Sequence, residues 1–357
     1  MIGVLFGLLV LFLGLVYCIY KSSKPGILKN LRRLVNTFTN ESKGIVEKKL
    51  IKWCSFKLDI KGHKDITHPS IIDFNGQLFV AATPYPQKLE DGGVGYENPY
   101  LFKPKVGGEA KPIDFDCISP EPICLPEEAH YNSDPVLFEW KGKMYMLTRK
   151  QEGPDFLSKI ILQTYDGSMW STPKDIIKTD RMSACPMILK KDGKLQVYMI
   201  NYRWNMFKGH KTIGYTTENL EIWENDDDDL KSFRFKEFVE WSHSQQVYHG
   251  DMFTYGECHY MLFNGLDLRF RTFYGIHDHF KYLWLARSKD GIHFEVSKRP
   301  LLKRSGIYKP TAYIKDGHLN VYFATDNSYT GEDKKEYPSG NRIGQFSVNL
   351  DMIEFER

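Results

Sequence analysis

Five stretches of the chain share one alternation of apolar and polar positions. They are "HPSIIDFNGQLFVAATPY" from His68, "DPVLFEWKGKMYMLTRK" from Asp134, "CPMILKKDGKLQVYMINY" from Cys185, "HGDMFTYGECHYMLFNG" from His249 and "KPTAYIKDGHLNVYFATDN" from Lys309. Each has a short apolar strand, a turn carrying Gly, and a second alternating strand. Turns such as "KKDGK" and "IKDGH" predict hairpins, because Gly takes the positive φ that a tight turn needs. The units recur roughly 50 to 65 residues apart, a blade-sized period. Segments between them, "ILQTYDGSMWSTP", "TIGYTTENLEIWE" and "LWLARSKDGIHFEVSKRPLL", supply outer strands. The pattern predicts an all-β fold, a five-bladed β-propeller over residues 51–357, closed in a ring so that few strand edges stay open. A β-sandwich with coincidental repeats is the competing architecture.

The amino terminus breaks the pattern. Ile2 to Tyr20, "IGVLFGLLVLFLGLVYCIY", carries no charge and is long enough to cross a bilayer as one helix. It lacks the basic start, short apolar core and small-residue cleavage site of a signal peptide. Residues 1–20 therefore read as a single transmembrane anchor. Residues 21–50 read as a basic juxtamembrane linker. Lys21, Lys24, Lys29, Arg32 and Arg33 all follow the apolar stretch, a bias that points the main domain toward the cytoplasm.

Charge narrows the partners. The chain has 48 basic and 45 acidic side chains, net +3, without a Lys/Arg cluster interleaved with aromatics, so a nucleic-acid surface is not expected. Aromatics at 14% suit a β-rich protein with a sugar- or peptide-sized cleft. The run Asp226 to Asp229 reads as a solvated loop. The six Cys lack zinc-site spacing, so neither metal nor cofactor is expected. Cys117 and Cys124 are close enough in sequence for a small disulfide, with free thiols the plainer reading.

The Asp-Pro step at Asp134, the "ACP" step at Cys185 and the strand pair "ARSKDGIHFE" resemble the five-bladed glycosidase clans: the family 43 arabinanases and xylosidases, and the fructosidases. The likeness runs from about Trp53 to Arg357. It implies three carboxylates in the central funnel, two of them flanking the glycosidic bond to protonate one oxygen and to attack or activate water. Carried over by position, the acid of the second blade falls on Asp134. The first-blade acid falls on His68 and the third-blade acid on Ala184. "YENPYLF" and the strand pair after it are similar to the mannoside phosphorylases, where an acid and a phosphate-holding Arg would fall on Asn98 and Arg149, with Glu97 beside them.

The starts of the five inner strands predict a ring of His68, Asp134, Cys185, His249 and Lys309 around the axis. Asp134 with Glu97 or Asp251 is the candidate catalytic pair. His68, Arg149, His249, Lys309, Tyr85 and Tyr202 are candidate ligand contacts, the tyrosines as stacking walls for sugar rings. The bland reading of Asp134 is a turn cap before Pro, and of the His residues a set of interblade hydrogen bonds. Two functional classes stand: a membrane-anchored glycosidase or glycoside phosphorylase acting on a carbohydrate, and a non-catalytic propeller that binds a glycan or a protein.

Overall fold

The computed structural model describes residues 44–58, 66–84, 97–105, 112–119, 121–124, 130–152, 157–178, 183–201, 211–221, 224–225, 240–241, 245–267, 282–304, 306–325 and 342–356. These form an all-β propeller of five sheets, with inner strands Ile66–Phe74, His130–Trp140, Ser183–Lys191, Gln245–Tyr255 and Ile307–Lys315. Each inner strand touches the next, and the fifth touches the first, so the ring closes. We call the sheets the first to fifth blades in that order.

The predicted turns are there, with the backbone the sequence demands. Asn75-Gly76, Lys141-Gly142, Asp192-Gly193 and Asp316-Gly317 all have two successive positive φ values, the two-residue turn that matches the right-handed twist of paired strands. Asn and Asp tolerate the first position and Gly the second without a Cβ clash.

The core lies between blades rather than within them. Phe79, Ala81 and Leu101 of the first blade interlock with Leu137, Met144 and Met146 of the second. Val136 and Leu147 meet Ile188 and Val197 across the next seam. Each further seam has its own cluster. Alternate residues of the inner strands and their partners thus bury on one of two neighbouring blades. At the seam of the third and fourth blades a third-blade side chain packs directly onto fourth-blade backbone. A Cβ on Gly250 would lie 2.6 Å from Met187 Sδ and 3.1 Å from Leu262 O.

All five inner strands slip register near the axis, between Thr67 and Ser70, Ser133 and Val136, Ala184 and Met187, Val247 and His249, and Ile307 and Pro310. In four of them Pro follows the ring residue. Proline has no N–H to give the ladder, so it tolerates only an edge or a bulge. The ring residues were expected at the strand starts. They sit instead inside the strands, at these bulges.

The chain entering the ring holds it shut. Ile45 and Val46 donate backbone hydrogen bonds to Pro300 and Leu301 at 2.9 and 2.8 Å, and Val46 buries in the seam of the fourth and fifth blades. Lys52–Trp53 then pairs with Ile343–Asn349 of the fifth blade, and Ser55–Lys57 runs parallel to Asp114–Cys117 of the first. Residues 44–50, the end of the stretch read as linker, therefore stitch onto the propeller, and residues 44–357 form one compact unit.

Among the described residues no helix is long and apolar enough to cross a membrane. The expected anchor, residues 1–20, lies outside the described residues, as does linker 21–43. Cys117 and Cys124 are free thiols; Cys124 donates to Gln163 Oε1 at 2.8 Å.

Candidate functional site

The bulges bring four ring residues and two neighbours into one buried cluster at the axis. His68, Asp134 and Cys185 have φ of 49°, 54° and 50°, a left-handed conformation that costs a side-chain-bearing residue about 1–3 kcal/mol and gathers at functional sites. Asp134 is wholly buried, at 0% exposure. Its Oδ2 lies 3.0 Å from Arg149 Nε, and its Oδ1 lies 3.7 Å from both His68 Nε2 and His249 Nδ1. Lys309 Nζ donates to the carbonyl of Pro135, which carries a second buried cation to the same place.

Glu97 sits on the other side of the His68 ring. Its Oε2 is 3.4 Å from His68 Nδ1, and His68 Nδ1 also lies 2.9 Å from Thr83 Oγ1. Ser133 hydrogen bonds to the Glu97 carboxyl and accepts from Arg149 Nη2 at 2.7 Å. The segment before the third strand of the first blade is pinned by Asn132 N donating to Glu97 O at 2.9 Å. One imidazole thus separates the two carboxyl groups.

Their environments drive them apart. Burial pushes the Glu97 carboxyl up to about 7, and nearby Asp134 adds to the rise while Arg149 opposes it. Burial would also raise Asp134, but Arg149, His68, His249 and Lys309 outweigh it and hold that carboxylate far below its ordinary range. Burial lowers His68 to about 4 and His249 to about 3, with Asp134 opposing in each case. At neutral pH the cluster is one anion, two cations, two neutral imidazoles and one acid poised between its forms.

Among the described residues neither ring nitrogen of His249 has a hydrogen-bond partner. The ring is instead an aromatic spacer, edge-on to Tyr308 at 4.4 Å and to Tyr248 at 4.7 Å. Tyr308 also reaches His68 at 5.2 Å. Both tyrosines are half-buried. Their signal was present in the sequence, since each directly precedes a ring residue in "VYHG" and "IYKP".

The remaining candidates divide. Cys185 belongs to the ring by position, but its thiol is spent on Gly250, donating to Gly250 O at 3.1 Å and accepting from Gly250 N at 3.3 Å. Asp251 points away from the cluster to the fifth blade, where Oδ2 accepts from Thr311 Oγ1 at 2.7 Å and Ala312 N at 3.1 Å. Tyr85 and Tyr202 lie outside the described residues. Among the described residues no group of three or more His, Cys, Asp or Glu could hold a metal ion.

No protein-family model and no curated protein sequence matches this chain. Its fold does match solved structures. A thermostable family-43 glycoside hydrolase is 12% identical with a TM-score of 0.54, over 85% of this chain and 96% of that one. An α-L-arabinanase of Penicillium chrysogenum, solved with arabinobiose, is 12% identical with a TM-score of 0.53, over 83% and 97%. A family 117 glycoside hydrolase of the marine bacterium Zobellia galactanivorans is 14% identical with a TM-score of 0.57, over 86% and 93%. The shared feature is the propeller; at such identities it carries the fold alone.

Proposed function

We propose that this chain is a glycoside-hydrolase-like protein that takes a carbohydrate at the propeller axis and is tethered to a membrane by residues 2–20. The observation that carries the reading is the split between Glu97 and Asp134 on the two sides of His68. Glycosidic cleavage needs one acid that still holds its proton near neutral pH and a fixed negative charge to oppose the cation forming on the sugar ring. Glu97, pushed up to about 7, suits the first role and is the more reachable of the two, its side chain 12% exposed. Asp134 supplies the second as a field rather than a contact, because no part of it reaches solvent. Arg149, held by Asp134 and Ser133, is placed to orient an oxygen of the ligand. The uncharged apolar stretch and the basic residues behind it support the tether, with the propeller on the cytoplasmic side.

A specific observation favours a second reading, that of a non-catalytic glycan-binding propeller. Hydrolysis wants a second reachable carboxylate to attack or activate water, yet Asp134 is sealed and Asp251 is engaged by the fifth blade. Asn98 and Ala184 stand where the resembling families place acids. A glycan array run with a hydrolysis and phosphorolysis screen on residues 44–357 separates the two. Turnover that is lost in Glu97→Gln supports the enzyme; glycan binding with no turnover supports the binding module. A chain that neither binds nor cleaves any glycan refutes both.

A further inference from the structure

The five positions immediately before the ring residues are Thr67, Ser133, Ala184, Tyr248 and Tyr308. Repeat symmetry alone would make them alike. Instead the first three blades carry small residues and the last two carry tyrosines. The small pair Thr67 and Ser133 are buried, at 1% and 0% exposure, and Ser133 binds both Glu97 and Arg149. The tyrosines stay half-buried, their ring centroids 6.3 Å apart. The axis therefore has two unlike sides: a polar side of Glu97, Arg149 and Ser133 on the first two blades, and an aromatic side on the fourth and fifth.

From this asymmetry we infer that Tyr248 and Tyr308 form a stacking subsite for one sugar ring, which sets the ring's apolar C–H face on the tyrosines and its hydroxyl edge toward Glu97 and Arg149. The inference rests on the carbohydrate reading above and specifies how that ligand lies. A pyranose or furanose carries both kinds of surface on one rigid ring. Buried imidazoles pack against both tyrosines. His249 braces both tyrosines edge-on, His68 braces Tyr308, and burial keeps both imidazoles neutral down to acid pH. A rigid aromatic surface next to the acid loses little entropy when a ring settles on it. Tyr308 also lies close enough to the acids that burial, Tyr248, Asp134 and Glu97 together hold its phenol well above the ordinary range, so it faces the ligand as a neutral ring.

The test uses the full-length chain and the glycan that scores best for it on the array. Proton NMR of that glycan in the presence of the wild-type chain should show upfield, ring-current shifts confined to one sugar unit. Tyr308→Ala should weaken binding at least about tenfold, Tyr248→Ala should also weaken it, and Tyr308→Phe, which keeps the ring, should lose less than Tyr308→Ala. Bound glycan without upfield shifts, or a folded Tyr308→Ala chain that binds as tightly as wild type, overturns the subsite while leaving the carbohydrate reading intact. If Tyr308→Ala does not fold, the wild-type shifts and the Tyr248→Ala affinity decide. A wild-type chain that binds no glycan sinks both proposals.

Discussion

Arg149 Nε lies 3.0 Å from Asp134 Oδ2 at the centre of the ring, and this ion pair lets the rest of the cluster exist. Lys309 is buried beside it, 1% exposed. Removing the carboxylate would leave two buried cations without their shared anion. Losing one partner of a buried pair costs about 3–5 kcal/mol, much of it the penalty on the charge left behind.

Asp134→Asn should therefore lower stability by about 3–5 kcal/mol, read as the shift of a urea unfolding midpoint. Arg149→Gln alone should cost a comparable amount. The double variant should cost less than the sum of the two, with a coupling of about 1–3 kcal/mol. Additive effects would show that the pair is not coupled.

The sequence reads Asp134 as a ring residue or a turn cap, not as half of a buried ion pair. Its place before Pro at the head of an apolar run marked it as a ring residue, and that much of the site was legible. The bulges were legible only in part, as Pro after four of the five ring residues. What the sequence did not disclose is depth. Nothing in "SDPVLF" distinguishes a carboxylate at a funnel mouth from one with 0% exposure, since depth is set by four other blades. Asp251 shows the same limit, because its partners Thr311 and Ala312 lie 60 and 61 residues away in sequence. The fold was easier: hairpin turns and alternation are local, and four Xaa-Gly turns appear where they were read. Tyr248 and Tyr308 stand in the sequence directly before His249 and Lys309, but which of many tyrosines reach the axis depends, like depth, on how the blades close.

Acid should weaken the fold in a way that identifies Glu97. His68 and His249 fold with pKa values near 4 and 3, below the unfolded value of about 6.5, so their contribution is present above that value and is lost as pH falls. Glu97 is the opposite case. Its folded value is about 7 against a model value of 4.5, so its contribution is full below 4.5 and is lost as pH rises toward 7. Between pH 5 and 6.5 the two histidines take up protons on unfolding while Glu97 releases one. Glu97→Gln removes the opposing proton, so stability should climb with pH more steeply in the variant, by about one proton's worth of slope. Equal slopes in the two proteins would mean that Glu97 titrates normally.

The entering segment should matter more than its polar sequence suggests. Val46 is buried in the seam of the fourth and fifth blades, and Ile45 and Val46 bond to Pro300 and Leu301. A chain starting at residue 51 should be less stable than one starting at 44 by about 2 kcal/mol, the value of burying one Val side chain. Matching melting curves for the two chains would show that residues 44–50 do not help to hold the ring shut.

The most direct measurement follows the carboxyl carbon of Glu97 by 13C NMR across pH 4 to 9, with and without the best glycan from the array. The account predicts a midpoint near 7 in the free protein and a displaced midpoint when the sugar is bound, because the ligand changes the solvation of that acid directly. A midpoint near 4.5, or one that saturating glycan leaves unmoved, would contradict the assignment of Glu97 as the proton-bearing group of a carbohydrate site.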